Sequence, residues 1–483
     1  MVKALTKQTN AASLYRTIWR WHFYAGLFVV PMVLILALTG AAYLFKPQVE
    51  RWEERAWRDL PTRNTVPPED QVKAALAAYP GSRLHSYRLP QSESDAVLIH
   101  VALASRGGGK PDMRDVFVSP QGQVVGTLDP ERRIMQVVHD IHGQLLLGKR
   151  GSWIVELAAS WAIVMILTGL YLWWPRGRGL AGVVWPRLSG GRKVVWRDLH
   201  AVTGFWVSGL AMVLLLTGLP WADLWGRSFK AVRAELGWVK GQQDWTIGGQ
   251  PASDAEHAEH DHGAMAAHSG SMPAMSHVMP DGTVMTMAMT PVSLSQIVAE
   301  AKSQHLPFPV IVTPPGSAPG PGKGAASAWS VRSDTQNRPL RVTLTYDPMT
   351  GRQTGRETFA DKHVIDRAVS YGIAWHEGQL FGWVNQLIGV ITALMLVTLS
   401  LTGFVMWRRR KPAGQLGAPP PAMVPARARR VTTIIALLAL LLPMLAISLA
   451  LVLLLEFAIL RRLRPVAAWL GLPPRPSEVR PVP

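Results

Sequence analysis

Four apolar runs divide the chain, at about 20–45, 152–174, 200–221 and 383–407. Crossing ~30 Å of hydrocarbon at ~1.5 Å per residue takes about twenty residues, and each run supplies them. A fifth run, 431–460, is interrupted by Pro443 and bounded by Arg429-Arg430 and Arg461-Arg462. A hairpin at Pro443 leaves each arm short of a span, so the pattern favours one kinked helix with an outer C-terminal tail. Between the first and second runs, and again between the third and fourth, the period changes. In 46–140, "EDQVKAALAAYPG" has helical spacing, and "RLHSYRLP", "DAVLIHVALA" and "RDVFVSPQGQVVGTLD" read as strands punctuated by Pro and Gly. In 291–375, "SLSQIVAEAKSQ" is the helix, with Ser293 as its cap and Gln296 three residues on, and three strands follow. The expected fold is an α-helical polytopic membrane protein carrying two small helix-plus-antiparallel-sheet (α+β) domains.

Charge then orients the spans. Segment 175–198 carries Arg176, Arg178, Arg187, Arg192, Lys193 and Arg197 against Asp198, and 408–430 carries seven basic residues and no acid. The positive-inside rule puts both loops and residues 1–19 in the cytoplasm, and both domains outside, in the periplasm of a bacterial inner membrane. Lys3, Lys7, Arg16 and Arg20 precede the first run without a small-residue cleavage site, which predicts an uncleaved anchor. The formal charge of +18 thus reflects topology and anionic membrane lipid; no basic, aromatic-interleaved domain points to nucleic acid. The chain has no cysteine, which excludes disulfides, thiolate catalysis, iron–sulfur clusters and covalent c-type haem. Neither domain shows a nucleophile–base arrangement or a phosphate loop.

The spans also repeat. "HFYAGLFVVPMVLILALTG" aligns without a gap on "HAVTGFWVSGLAMVLLLTG": His22 and His200 each have Gly at +4 (Gly26, Gly204) and Thr-Gly at +17 and +18. His142 aligns on His376, with Gly148 and Gly382 at +6 and Thr168-Gly169 and Thr402-Gly403 at +26 and +27. The expected architecture is a four-helix core from two helix–domain–helix repeats, plus a fifth C-terminal helix. His22 and His200 open outward-running spans, while His142 and His376 precede inward-running ones. Packed repeats would bring each class together as a pair.

Two imidazoles facing each other between helices, with small residues admitting a flat macrocycle, suit bis-histidine b-type haem: His22/His200 on the cytoplasmic side, His142/His376 on the periplasmic side. Arg20 and Arg197 are candidates for propionate contacts, and Gly26, Gly204, Gly148 and Gly382 for close approach. His139 has no counterpart, since Ile373 holds its aligned position; it is an alternative outer ligand, a substrate-side residue or a solvated one. The competing reading takes the histidines as interfacial anchors and the glycines as helix-packing residues.

One further stretch stands apart. Within 254–290, His257, His260, His262, His268 and His277 alternate with Met265, Met272, Met275, Met279, Met285, Met287 and Met289. Such a tract cannot build a core, and imidazole with thioether suits copper, Cu(I) above all; the plain alternative is a polar linker.

The motif "HGQLLLGKRGSWIVELAASWAIVMILTGLYLWWPR" resembles the PepSY-associated transmembrane family of iron-uptake-linked bacterial inner-membrane proteins, and the likeness extends over roughly residues 10–411. It implies PepSY-like periplasmic domains at 46–140 and 291–375, spans at 20–45, 141–174 (with an outer extension), 199–221 and 376–407, and a connector at 222–253. A fifth span at 431–460 and a tail at 461–483 fall outside it. Its siderophore-reductase branch implies a di-haem protein that passes electrons from quinol or another donor to a ferric siderophore or other metal complex. Under that likeness His22, His200, His142 and His376 take the axial roles. Copper reduction, or haem-free metal handling with the domains as partner-binding scaffolds, remain as alternatives. No nicotinamide or flavin fingerprint is present.

Overall fold

The computed structural model describes residues 2–103, 112–175, 180–239, 276–278, 284–286, 291–317, 328–421, 429–460 and 462–472. Helix α1 (Val2–Tyr43) carries the first apolar run and is followed by α2 (Lys46–Glu53) and α3 (Pro68–Ala78). Strands β1 (Arg83–Arg88), β2 (Val97–Ala102), β3 (Met113–Val118) and β4 (Val124–Leu128) come next. Helices α4 (Ile134–Gln144), α5 (Lys149–Trp173), α6 (Gly191–Gly218) and α7 (Asp223–Glu235) then lead to a short hairpin, β5 (Ser276–Val278) and β6 (Val284–Thr286). The second domain is α8 (Leu294–Ser303), β7 (Val310–Thr313), β8 (Trp329–Ser333), β9 (Val342–Tyr346) and β10 (Gln353–Thr358). It continues into α9 (Val364–His376), α10 (Trp383–Arg410), α11 (Arg429–Leu441), α12 (Pro443–Leu455) and α13 (Arg464–Leu470).

Among the described residues five helices are long and apolar enough to cross a membrane: Ala12–Tyr43, Lys149–Trp173, Gly191–Trp221, Trp383–Arg410 and Pro443–Leu460. The chain is therefore a membrane protein. Helices α1, α5, α6 and α10 pack as a four-helix bundle in which each touches its neighbours.

The strands do not form two separate sheets, as their periodicity predicts. They join in one eight-stranded antiparallel sheet, ordered β10-β9-β8-β7-β1-β2-β3-β4. The junction pairs Tyr87 with Val312 and Arg88 with Ile311, so that each half covers the other's first strand. An uncovered edge would leave a row of unpaired amides and carbonyls, and pairing the two edges removes it. One core results: α3 and α8 lay Val72, Ala75, Ile297, Val298 and Ala301 on a face built from Tyr87, Ile99, Val116, Val312, Val331 and Leu344. The predicted cap of α8 is present as a reciprocal box between Ser293 and Gln296.

Two features at the span entrances set the histidines. His142 lies on α4, a separate helix ending at Gln144, and His376 is the last residue of α9. The chain then turns into α5 through Gly148 and into α10 through Gly382, both at φ 57 with ψ near −138. Side chains with a Cβ rarely adopt that backbone, which accounts for glycine at both places.

The fifth run departs from the expected single helix. The chain reverses at Leu442-Pro443, where Trp225 Nε1 donates to the Leu441 carbonyl at 3.0 Å beside the start of α7. Helix α12 then runs back, and α13 reaches α1: Arg20 donates to Gly471 O at 3.0 Å and Tyr24 to Leu470 O at 2.5 Å. Arg20 also donates to Pro419 O, ahead of the hairpin. Both ends of the hairpin thus lie at one end of the bundle, the one carrying the basic loops, rather than at opposite ends. The cost of a short first arm is offset by packing: Leu442 and Leu445 bury against Ile163 and Leu219.

Candidate functional site

A cavity of about 1660 Å³ runs along the bundle from Trp19 and Trp407 at the basic-loop end to Arg332 and Arg341 of the sheet. His22, His200, His142 and His376 all line it. The bundle places them in two tiers, because His22 and Thr39 are seventeen residues apart on α1, about 25 Å of helix rise. The lower tier holds His22 of α1 and His200 of α6. In the upper tier the rings of His142 and His376 meet edge to face, with centroids 6.2 Å apart and planes at 75°.

Each ring is held by the threonine of a Thr-Gly pair on a neighbouring helix. His22 Nδ1 lies 2.9 Å from Thr168 Oγ1, His142 Nδ1 3.0 Å from Thr39 Oγ1, His200 Nδ1 3.1 Å from Thr402 Oγ1, and His376 Nδ1 3.2 Å from Thr217 Oγ1. The adjoining glycine admits the ring. A Cβ placed at Gly169, Gly40, Gly403 or Gly218 would stand 3.1–3.3 Å from the corresponding Cε1, tighter than ordinary contact.

This arrangement fixes the tautomer. All four threonine hydroxyls donate their one proton to the carbonyl four residues back, at 2.7 Å for Thr39, Thr168 and Thr402 and 2.8 Å for Thr217. The hydroxyl oxygen can then only accept, so Nδ1 carries the proton and Nε2 keeps its lone pair. His200 Nδ1 also reaches the Leu399 carbonyl at 3.1 Å, an acceptor that requires the same tautomer. Among the described residues no hydrogen bond engages any of the four Nε2 atoms. An imidazole tied through its far N–H to a carbonyl or hydroxyl is the usual form of a metal-ligating histidine.

The donor set narrows what such a pair could hold. A metal bound to both Nε2 atoms at about 2 Å each puts the ring centroids about 6 Å apart, close to the observed upper-tier spacing. Among the described residues no three His, Asp or Glu side chains converge as a metal group. Two imidazoles leave a bare ion short of the usual four donors, whereas a haem brings four of its own. Gly26 and Gly204 line the cavity, where a Cβ would approach Met165 and Leu399 at 3.1 and 3.3 Å.

Other expected residues are placed elsewhere. Arg20 is engaged by the C-terminal hairpin and is absent from the cavity wall. Its neighbour in the sequence, His22, made it look like a cavity residue; the helix turns it onto another face. Arg197 does line the cavity, tied to buried Asp198 at 2.6 Å, and Arg187 joins the same carboxylate at 2.7 Å. Arg410 lines the cavity beside Trp19. These last two cations were not singled out from the sequence, because nothing local ties them to a histidine. Gly148 and Gly382 shape the turns described above and do not line the cavity. His139 reaches the cavity beside Tyr43, with Nδ1 3.2 Å from Asp140 Oδ1. Of the His/Met tract, His257, His260, His262, His268, Met265, Met272, Met275, Met279, Met287 and Met289 lie outside the described residues. His277 and Met285 are register partners in the β5–β6 hairpin.

The family model described as PepSY-associated TM region matches residues 19–410. No curated protein matches the sequence.

Proposed function

Because the chain belongs to the PepSY-associated transmembrane family, we propose that it is a di-haem b reductase of the bacterial inner membrane, of the siderophore-reductase type. The observation that carries this reading is the fourfold Thr-locked imidazole, with every Nε2 lone pair left for a metal inside one cavity. Haem bound at each tier would supply one-electron chemistry between the two ends of the bundle. His22 and His200 would hold one haem at the basic-loop end, on the side that the positive-inside rule assigns to the cytoplasm, and His142 and His376 would hold a second at the opposite, periplasmic end. Arg187, Arg197 and Arg410 offer charge-assisted partners for propionates at the lower tier. Apolar side chains of α1, α5, α6 and α10 line the cavity around the rings.

The substrate is a metal complex presented at the sheet end. A ferric ion that gains one electron becomes Fe(II), which hard-oxygen chelates hold less tightly, so reduction becomes release. The electron comes from quinol or a protein donor. A second reading, reduction of Cu(II), draws on the His/Met tract and the His277–Met285 pairing.

The test is an absorbance spectrum of detergent-purified protein with a haem assay. The expected result is a Soret band, α-bands that sharpen with dithionite, and two haems per chain. His22→Ala and His200→Ala should each remove one. A colourless preparation from haem-supplemented cells sinks the reading, and two haems retained in both variants sinks the pairing.

A further inference from the structure

The two halves of the chain close their upper-tier turns differently. The gapless alignment of His142 on His376 sets Gly151 against Asn385 and Ser152 against Gln386. In the first half α4 continues to Gln144, two residues past its histidine, and the Gln144 carbonyl lies so near Gly151 that a Cβ there would stand 1.6 Å from it. Only backbone fits in that turn. In the second half α9 stops at His376, the chain turns through Gly378 at φ 74, and a side chain takes the space instead.

That side chain is Asn385, buried and part of the cavity wall, which spans the turn with both ends of its amide. Nδ2 donates to the Trp375 carbonyl at 3.1 Å, and Oδ1 accepts from Leu380 N at 3.2 Å. Asn385 thus grips the peptide that leads into His376. The next residue, Gln386, carries the restraint to α1: its Nε2 donates to the Leu44 carbonyl at 2.9 Å, and Gln379 Nε2 reaches the same oxygen at 3.1 Å. The Leu44 side chain is seated between Gly378 and Gly389, where an added Cβ on either would stand 2.6 Å from one of its methyl carbons. Leu44 lies five residues after Thr39, which holds His142. One clasp therefore ties the turn behind His376 to the helix that holds His142.

We infer that Asn385 and Gln386 are positioning residues for the upper-tier pair: Asn385 sets the orientation of the His376 ring, and Gln386 fixes its place relative to His142. The inference rests on the di-haem reading for what the pair holds and on the clasp for which pair is held. Contacts behind a ligand orient it and tune what it binds. The ferric low-spin resonance of a bis-imidazole haem also depends on the angle between its two ring planes, here 75°. Loosening the clasp should therefore alter the upper-tier haem and spare the lower one, because Thr168 and Thr402 hold His22 and His200 at the other end of the bundle.

The experiment records electron paramagnetic resonance of the ferric full-length protein in detergent, and haem transfer to an excess of a haem-free acceptor. His22→Ala supplies a background that keeps only the upper-tier haem, and His376→Ala one that keeps only the lower. In the first background Asn385→Ala and Gln386→Met should each shift the low-spin signal and speed haem loss about tenfold, the low end for loss of an outer partner. In the second they should change neither. Asn385→Asp keeps the size and the acceptor for Leu380 N while losing the donor to Trp375; it should shift the upper-tier signal with haem content intact, and it carries the test if the alanine variant fails to fold. An upper-tier signal and loss rate unchanged in all three variants overturns the inference. So do equal shifts at both tiers, which mark a general loosening of the bundle. A haem-free wild type sinks the reductase reading and this inference with it; a two-haem wild type whose upper tier ignores the three variants sinks this inference alone.

Discussion

Replacing Thr168 by valine tests the histidine lock at its most exposed point. Valine has the shape of threonine, so the change opens no cavity, and loss of the Oγ1 back-bond to Val164 leaves an ordinary helix. What disappears is the acceptor 2.9 Å from His22 Nδ1, and among the described residues that nitrogen has no other hydrogen-bond partner. A buried N–H stripped of its acceptor costs about 1–3 kcal/mol. Loss of such an outer partner typically weakens metal binding by about 10–100-fold. Thr402→Val makes the same chemical change at His200, yet there the Leu399 carbonyl at 3.1 Å still accepts from Nδ1. Its cost should stay below about 1 kcal/mol, the net value of an ordinary hydrogen bond.

The assay is transfer of haem from purified protein to an excess of a haem-free acceptor, followed by absorbance, with the low-spin bis-imidazole spectrum recorded for each variant. On the proposed di-haem reading, Thr168→Val should lose the lower-tier haem at least ten times faster than wild type, Thr402→Val only a few times faster, and Thr168→Ser should restore retention. Equal losses in the two valine variants, or a serine variant as poor as valine, would show that the hydroxyl does not orient the ring.

Three other outcomes follow from the packing. Glu54 is buried, and although burial alone raises its pKa, Arg88 and Arg133 overcome that and hold the carboxyl below its ordinary range. Its contribution is therefore complete above the unfolded carboxylate value of about 4.3 and lost as pH falls through the folded one. Glu54→Gln should lower stability by about 3 kcal/mol at pH 7 and flatten the acid limb of thermal melts; an unchanged limb would refute the assignment. The absence of native cysteine makes topology directly measurable: Ala468→Cys should react with an impermeant thiol reagent from the same side as Gly414→Cys and the opposite side from Ser92→Cys. Reaction of Ala468→Cys and Ser92→Cys from one side would refute the C-terminal hairpin. Deleting 254–290 should abolish Cu(I) binding measured by chelator competition while leaving both haems; retained stoichiometric copper would exclude the tract as its ligand.

The spans and the histidines were legible because each rests on a one-dimensional signal: an apolar length, or a spacing repeated without a gap. The thresholds of that kind of signal are visible in the residues it misread. Thr39, Thr168, Thr217 and Thr402 stood out as markers of repetition, but their work is done across helices, 103 to 202 positions from the rings they hold. No local pattern shows such a bond. Arg20 was misplaced for the converse reason, since adjacency to His22 says nothing about which helix face a side chain leaves from. The hairpin at Pro443 hinged on whether a short arm could be buried, and Trp225, Leu219 and Ile163, far away in sequence, supply that burial. The merging of the two sheets depended on edges that periodicity leaves unpaired.

Those same edges explain why the bundle and the sheet divide the labour as they do. The Thr-Gly lock requires like residues at every tier, so the four span helices keep close register from Thr39-Gly40 to Thr402-Gly403. The sheet carries no such constraint once β1 and β7 are joined, because each half is already buried against its own helix.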